Sequence, residues 1–294
     1  MGSVFVYLVL SGLTNGSLYA LLALGLVIIY KATTVVNFAH GEVFMMGGFF
    51  AYTFYVLLGL AYPASLLLAV ALSLLLGMVT ERLAYRPLIK ASAISMVLAS
   101  VGFSFVLRGV ARVTWGGKGD FIPFPPVFSY DPIVLGSLLI TPQQLIILSG
   151  ALMCMGVFAA FFRWTKLGKM MQATAENQRA AALVGIRVER VFAIIWGVGA
   201  CVGALAGVLM APVTLLYPDI GATLLVKAFA SAVLGGFGNL PGAVLGGLSM
   251  GVIENLAGGY LHTSLVDISA FLVIMLVLIV RPTGFFGAKA VRKV

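Results

Sequence analysis

Nine apolar runs, each separated from the next by a short polar segment, leave few folds open to this sequence. A membrane-spanning helix needs roughly 20 predominantly apolar residues, and in hydrocarbon only helices and closed barrels pair every backbone polar group. We place the runs at Val4–Tyr30, Val43–Leu60, Ala64–Leu83, Ala91–Arg108, Gln143–Phe162, Val191–Leu216, Gly221–Gly236, Pro241–Tyr260 and Val266–Val280. With Gly221–Gly236 and Pro241–Tyr260 taken as one two-part unit, the sequence predicts an all-α polytopic membrane protein of about eight transmembrane segments with broken or re-entrant helices, in one domain over residues 1–294.

Composition supports this class and argues against others. Hydrophobic residues make up 62% of the chain and charged residues 9%, whereas about a quarter of the residues in soluble domains are charged. The net charge of +9 does not indicate nucleic-acid binding, because the basic residues lie between apolar runs. Cys154 and Cys201 lie inside apolar runs without metal-ligand spacing, so we interpret them as small buried residues. With only His40 and His262 available, the sequence offers no metal cluster and no nucleophile–base pair, and we expect no catalytic site. No Lys or Arg precedes the first run, which we expect to remain as a spanning helix.

The distribution of Lys and Arg predicts an orientation. Basic residues concentrate in cytoplasmic loops of membrane proteins. If every run crosses, with the N-terminus outside and the C-terminus in the cytoplasm, the inner segments carry Lys31, Arg82, Arg86, Lys90, Arg163, Lys166, Lys169, Arg179, Arg187, Arg190, Arg281, Lys289, Arg292 and Lys293. The outer loops then carry only Arg108, Arg112 and Lys118.

The polar segment before the second run contains Asn37, His40 and Glu42 beside several glycines. Ionisable groups are costly in hydrocarbon, so they face a protein interior or a water-filled path. Asn37, His40 and Glu42 are therefore the candidate residues of a solute path, and His40 and Glu42 could line it or its inner gate. Alternatively, they stabilise a broken helix or reach the inner interface. For Asn37 we favour a structural role, capping the turn.

Lys227 and Glu254 fall at similar depths in neighbouring runs. If those runs form a hairpin around Asn239, the two side chains lie within about one helical turn of each other along the membrane normal. A buried pair would neutralise both charges, so we predict that they interact. The alternative is that the Lys227 side chain snorkels to the outer interface.

Small residues recur in the sixth run, at Gly197, Gly199, Gly203 and Gly207. Between membrane helices, small residues let the two backbones approach closely. We therefore predict close helix contacts along this face, with a pore role as the alternative.

Two segments outside the apolar runs also carry information. In the charged segment over about 163–190, Asn177 to Gly185 predicts a short helix, with Asn177 as the N-cap and Gly185 just after its end. Such a helix suits docking into a soluble partner, or it lies on the lipid headgroups. In the outer loop over about 110–141, the aromatic residues Phe121, Phe124, Phe128 and Tyr130 either brace a surface for a binding protein or pack on the chain's own outer face.

Four stretches together resemble the permease family of branched-chain amino-acid ABC importers, specifically the LivH-type subunit. They are Asn37 to Glu42, Arg179 to Gly185 with the later Ile195, Leu234 to Ala243, and Arg281 to Gly287. The second resembles the loop by which ABC permeases engage their ATPases, although Arg179 replaces the usual Glu and no Leu-Pro pair follows. The resemblance implies that the ATPase-coupling residues are Glu176, Asn177, Arg179, Ala180, Ala181 and Gly185.

The resemblance also implies an assembly in a bacterial inner membrane. Its partners are a second homologous permease, two ATPases that bind ATP and Mg²⁺, and a periplasmic or lipid-anchored binding protein. No Gly-x-x-x-x-Gly-Lys-Ser/Thr motif occurs in this sequence, so ATP hydrolysis is expected on the partners. The substrate is expected to be a branched-chain or other apolar amino acid, with urea or a short amide as an alternative. A self-sufficient channel or secondary transporter, and a purely structural membrane subunit, are the other functions considered.

Overall fold

Helices make up most of the computed structural model, which describes residues 2–89, 91–116, 121–128, 131–135 and 138–287. The helices are α1 (Gly2–Thr33), α2 (His40–Tyr52), α3 (Tyr62–Thr80), α4 (Ala93–Trp115), α5 (Pro142–Trp164), α6 (Lys166–Glu176), α7 (Gln178–Leu183), α8 (Val188–Met210), α9 (Ile220–Gly235), α10 (Leu240–Tyr260) and α11 (Leu265–Val280). Short π or 3₁₀ turns extend α2, α3 and α8, over Thr53–Leu57, Glu81–Leu88 and Ala211–Val213 respectively. The sequence-predicted basic residues Lys90, Lys118, Lys289, Arg292 and Lys293, and the aromatic Tyr130, lie outside the described residues.

The described helices confirm the all-α polytopic fold class. Six of them are long and apolar enough to cross a membrane, and two shorter apolar helices, α9 and α11, add to these. Once α2, which corresponds to the second run, is added to these eight, each of the nine predicted apolar runs has its own helix. The predicted two-part unit consists of two separate helices, because α9 ends at Gly235 and α10 begins at Leu240.

Four short strands, within the described residues, lie at one end of the bundle. Strand β1 (Ile122–Pro123) pairs with β4 (Leu215–Leu216), and β2 (Ile133–Leu135) forms an antiparallel hairpin with β3 (Leu138–Ile140). We call this end of the bundle the hairpin end. The opposite end, which carries α6 and α7, we call the basic end.

Helix α1 is the buried centre of the bundle. In the most apolar 18-residue stretch of α1, 89% of the residues are buried, compared with 17% in that of α4. The neighbours of α1 include α5, α8, α9 and α10. Glycines bring α1 and α10 together, because a Cβ on Gly16 would lie only 2.8 Å from the carbonyl oxygens of Gly247 and Leu248. Membrane helices gain no hydrophobic free energy from pairing in lipid, so this close backbone packing holds them together.

Helix α8 makes the second set of close contacts, against α1, α2 and α3. A Cβ on Gly199 would lie 2.9 Å from the Ile29 side chain, and one on Gly207 would collide with the carbonyl oxygen of Phe44. Gly197 and Gly203 likewise face neighbouring helices. The predicted close approach along this glycine series is therefore confirmed.

The chain is broken between α1 and α2. Thr34 takes a left-handed conformation with a φ of 59°, and the Asn37 side-chain oxygen accepts a hydrogen bond from the Ala39 N–H at 3.0 Å. The chain then turns back along α1, so that α2 begins inside the bundle, with His40 against Gly25. This is a broken element of the predicted kind.

Helix α4 corrects the prediction for the fourth run. The sequence predicts that it ends at Arg108, but α4 continues for about two more turns, to Trp115. Arg108 and Arg112 therefore lie within the helix, and their assignment to an outer loop is wrong. The reason is that basic side chains were taken to mark the end of a span, although the residues around them remain apolar.

Of the aromatic residues predicted for the outer loop, one is buried and two are exposed. Phe124 is buried and stacks on Tyr55, with ring centroids 5.5 Å apart, so it packs on the chain's own helices. Phe121 and Phe128 are exposed. Their contact with a binding protein stays a prediction.

The α1–α10 contact predicts different outcomes for two glycine substitutions. Gly16→Ala should destabilise the protein by about 1–3 kcal/mol, since it overpacks a backbone contact. Gly102→Ala is the control, because a Cβ there meets nothing within 4 Å and Ala favours helix over Gly. Thermal unfolding in detergent measures both variants. Equal stability of the two proteins would contradict the packing role of Gly16.

Candidate functional site

A buried ion pair connects three helices in the middle of the bundle. Lys227 in α9 places its Nζ 2.7 Å from Glu254 Oε1 in α10, and the Tyr19 hydroxyl of α1 donates to the same oxygen at 3.2 Å. Lys227 and Glu254 are 8% and 3% exposed, so Lys227 points into the bundle rather than to an interface. The structure thus brings together the two residues that the sequence predicts to interact. Because both side chains are buried, removing one of them would leave the charge of the other without a counter-ion, which is destabilising.

A second group of charges joins α2, α4 and the start of α9. Glu42 is fully buried and binds Arg108, whose Nη2 lies 2.6 Å from Glu42 Oε1. Arg108 also lies 3.7 Å from Asp219, which a second arginine, Arg112, contacts at 2.7 Å. Asp219 precedes the first turn of α9, where a negative charge is favourable.

Sequence reasoning missed this second group because it placed Arg108 in a loop. One signal could have found the group. Residues 109–113, after Arg108, include two valines and an alanine. The apolar run therefore continues, and an arginine inside it requires an acidic partner.

The residues assigned to a solute path, Asn37, His40 and Glu42, are enclosed by the chain itself. Each is at most 1% exposed, and none lines the larger cavities of the described part. His40 fits against Gly25 and Gly203, and neither ring nitrogen has a hydrogen-bond partner. The three side chains close the broken start of α2. A place on the solute path stays a prediction.

The proposed coupling residues lie together at the basic end, where the predicted short helix is present as α7. The Asn177 side-chain oxygen caps it by accepting from the Ala180 N–H at 3.0 Å, and Gly185 follows its end with a φ of 87°. Of the remaining coupling residues, Glu176 ends α6, Arg179 and Ala180 are exposed, and Ala181 is buried.

Two contacts of α7 bear on its role. Leu183 and Val184, at its C-terminal end, are 89% and 78% exposed. The Gln178 side-chain amide donates to the carbonyl oxygen of Ala32 at 2.9 Å, which ties α7 to the end of α1. An exposed apolar pair on a segment anchored to the central helix is suited to docking and to transmitting motion.

A large cavity lies at the hairpin end between α1, α5 and α10. Its volume is about 760 Å³, and all its lining residues are uncharged. The polar lining residues are Ser11, Thr14, Asn15, Thr141, Gln143, Gln144, Thr214 and Asn255. The other lining residues are Tyr7, Pro123, Phe124, Ile147, Pro212, Val213 and Leu215. The cavity therefore suits a neutral or zwitterionic solute with an apolar part. No group of three or more His, Cys, Asp or Glu in the described part could hold a metal ion.

The sequence is similar to those of known proteins over nearly the whole length of the chain. Residues 8–280 match the family described as "Branched-chain amino acid transport system / permease component". The high-affinity branched-chain amino acid transport system permease protein LivH of Salmonella typhimurium is 34% identical, over 99% of this chain and 98% of its own length. The protein BraD of Pseudomonas aeruginosa, named as a permease of the same kind, is also 34% identical, over the full length of both chains. The xylose/arabinose import permease protein XylH of Sulfolobus acidocaldarius is 27% identical, over 66% of this chain and 53% of its own.

The buried pair predicts a double-mutant result. Lys227→Met should destabilise the protein by about 3–5 kcal/mol, because it leaves the Glu254 carboxylate buried without its counter-ion. Adding Glu254→Gln should recover part of that loss, because the uncompensated charge is then removed. A thermal-unfolding cycle over the four proteins measures the coupling. Additive effects of the two substitutions would show that the pair contributes nothing.

Proposed function

Because the chain belongs to the branched-chain amino acid transport permease family, we propose that it is the membrane-spanning subunit of an ATP-driven importer of branched-chain or other apolar amino acids. The proposed partners are a second homologous permease, two ATPases and a periplasmic or lipid-anchored binding protein, in a bacterial inner membrane. ATP and Mg²⁺ bind to the ATPases. Full-length similarity to two relatives named for branched-chain amino acids supports this substrate class.

The observation that carries the proposal is the exposed end of α7. Leu183 and Val184 project from a capped helix at the basic end of a chain whose sequence contains no phosphate-binding loop. A helix that lies on headgroups places a continuous apolar face along its length. Here the two large exposed apolar side chains both lie at the C-terminal end of α7, which suits insertion into a groove on a soluble partner.

The mechanism follows from how α7 is attached. Closure of the ATPases on ATP would move the segment from Asn177 to Gly185, and the hydrogen bond from Gln178 to Ala32 would pass that movement to α1. Since α1 packs on α5, α8, α9 and α10 among other helices, its tilt would change their arrangement. Access would switch from the outside to the inside.

The charge distribution supports an outer N-terminus and a cytoplasmic C-terminus. The described part contains nine apolar helices, namely the six long ones with α2, α9 and α11. If each of them crosses, their odd number supports termini on opposite sides. With Arg108 and Arg112 now inside α4, the described connections at the hairpin end contain no Lys or Arg. The basic end carries the basic loops, and it is therefore assigned to the cytoplasm.

Three alternatives remain distinct from this proposal. A urea or short-amide importer would use the same machinery with another solute, and the relative named for xylose and arabinose shows that solute varies among related permeases. A self-sufficient channel or secondary transporter would move solute without ATPases. A purely structural subunit would tolerate charge substitutions at Glu42 and Lys227 without losing uptake.

The exposed end of α7 predicts a specific uncoupling variant. Leu183→Asp should lower ATP-driven leucine uptake by at least tenfold and release the ATPases during purification, because a charge cannot enter an apolar groove unpaired. Uptake into proteoliposomes and co-purification measure the two effects. Leu261→Asp is the matched control, since Leu261 is 75% exposed at the opposite end of the bundle.

The control variant should retain its ATPases. Retention of the ATPases and of full uptake by Leu183→Asp would contradict docking at α7. Leucine transport by the purified chain without ATPases would instead favour the channel or secondary transporter.

The orientation predicts which thiols are reachable in intact cells. In a Cys154→Ala/Cys201→Ala background, Ala173→Cys, at an exposed position of α6 beside α7, should react with a membrane-impermeant thiol reagent only after the cells are opened. Thr263→Cys, in the connection after α10, should react in intact cells. The reverse pattern would place α7 outside and contradict its role in ATPase coupling.

A further inference from the structure

The cavity at the hairpin end contains a polar group that the fold itself does not use. Gln143, in the first turn of α5, lines the cavity and is 5% exposed, and its Nε2 has no hydrogen-bond partner. A buried amide donor without a partner costs about 1–3 kcal/mol. An acceptor supplied by a solute in the cavity would remove this cost.

The neighbouring glutamine shows the contrast. Gln144 lines the same cavity, but its Oε1 accepts from the Thr141 N–H at 3.1 Å and its Nε2 donates to Ser11 Oγ at 3.2 Å. Gln144 therefore completes the cap of α5 and ties this helix to α1. Gln143 has no comparable structural bond from its Nε2.

The position of Gln143 favours an acceptor with negative charge. It lies in the first turn of a 23-residue helix, where the helix dipole favours negative charge. The cavity has no basic residue to bind an anion tightly. A carboxylate on a solute without net charge fits both conditions.

Other parts of the lining fit the rest of an amino acid. The Asn255 Nδ2 donates to the Gly251 carbonyl oxygen, which leaves the Oδ1 of this lining residue as an acceptor for an ammonium group. Ile147 and Leu215 offer apolar contact to an aliphatic side chain. Urea has no apolar part to use this surface.

We propose that this cavity is a transit site for zwitterionic aliphatic amino acids, in which the Gln143 side-chain amide binds the solute carboxylate. The inference rests on the proposed function and names the substrate class and the contact within it. Because the lining has no charge, the site holds solute weakly, as a transport path requires for release.

Uptake kinetics of the reconstituted complex test the role of Gln143. Gln143→Leu should raise the KM for leucine about tenfold or more, because a hydrogen bond to a charged group is lost. Gln143→Glu should raise the KM further, by repelling the carboxylate. Maximal ATP hydrolysis should stay within about twofold of the wild type. Ser149→Ala, on an exposed position of the same helix, is the control and should leave the KM unchanged.

A labelling experiment tests the site without altering Gln143. In the cysteine-free background, Thr214→Cys lines the cavity and should react with a thiol reagent from outside. Leucine should slow this reaction at least threefold, whereas isopentylamine, which lacks the carboxylate, and urea should not. Equal protection by leucine and isopentylamine, or by none of the three, would overturn the proposal.

The outcomes separate this inference from the proposed function. If the wild-type complex takes up leucine but the Gln143 variants keep its KM, the carboxylate contact is wrong and the transport function stands. If the wild-type complex takes up urea and not leucine, both are wrong. Should Gln143→Leu fail to assemble, the labelling result alone decides the inference.

Discussion

Close contact between helix backbones is the condition on which the rest of this structure depends. In lipid, helices gain little from burying apolar side chains against each other, so dispersion contacts between closely packed backbones hold the bundle together. The contact of Gly16 with Gly247 and Leu248 brings α10 to α1, and that of Gly207 with Phe44 brings α2 to α8. Because such contacts tolerate no added methyl group, they fix the depth at which each helix sits.

The buried charges depend on that fixed depth. Lys227 and Glu254 come from different helices, and their atoms meet at 2.7 Å only if α9 and α10 keep their register. A shift by one residue would move one partner by about 1.5 Å along its axis and rotate it by about 100°. The ion pairs therefore stabilise one arrangement of the bundle and penalise its neighbours.

Much of this arrangement could be predicted from sequence, and the parts that could not have a common cause. Apolar runs predicted the helices, the cap residues Asn177 and Gly185 predicted α7, and matched depths predicted the Lys227–Glu254 pair. Arg108 was not recognised as the partner of Glu42, because it was placed in a loop and because pairing between distant helices depends on tertiary packing. The importance of Gln143 was missed for the same reason. An unpaired amide is recognisable only when its surroundings are known.

Helix α1 connects the hairpin end of the molecule with the basic end. Helix α1 has 32 residues and is about 48 Å long at 1.5 Å per residue, so it exceeds the hydrocarbon thickness of about 30 Å. Its end at Ala32 accepts the hydrogen bond from α7, and its first half lines the cavity. Since glycine contacts lock α10 onto α1, these two walls of the cavity move together. The wall formed by α5 carries Gln143, and it is held to α1 by packing and by the Gln144 to Ser11 hydrogen bond rather than by the glycine contacts that join α10 to α1. A tilt of α1 driven from α7 would therefore change the distance between Gln143 and the opposite wall, and with it the affinity for solute.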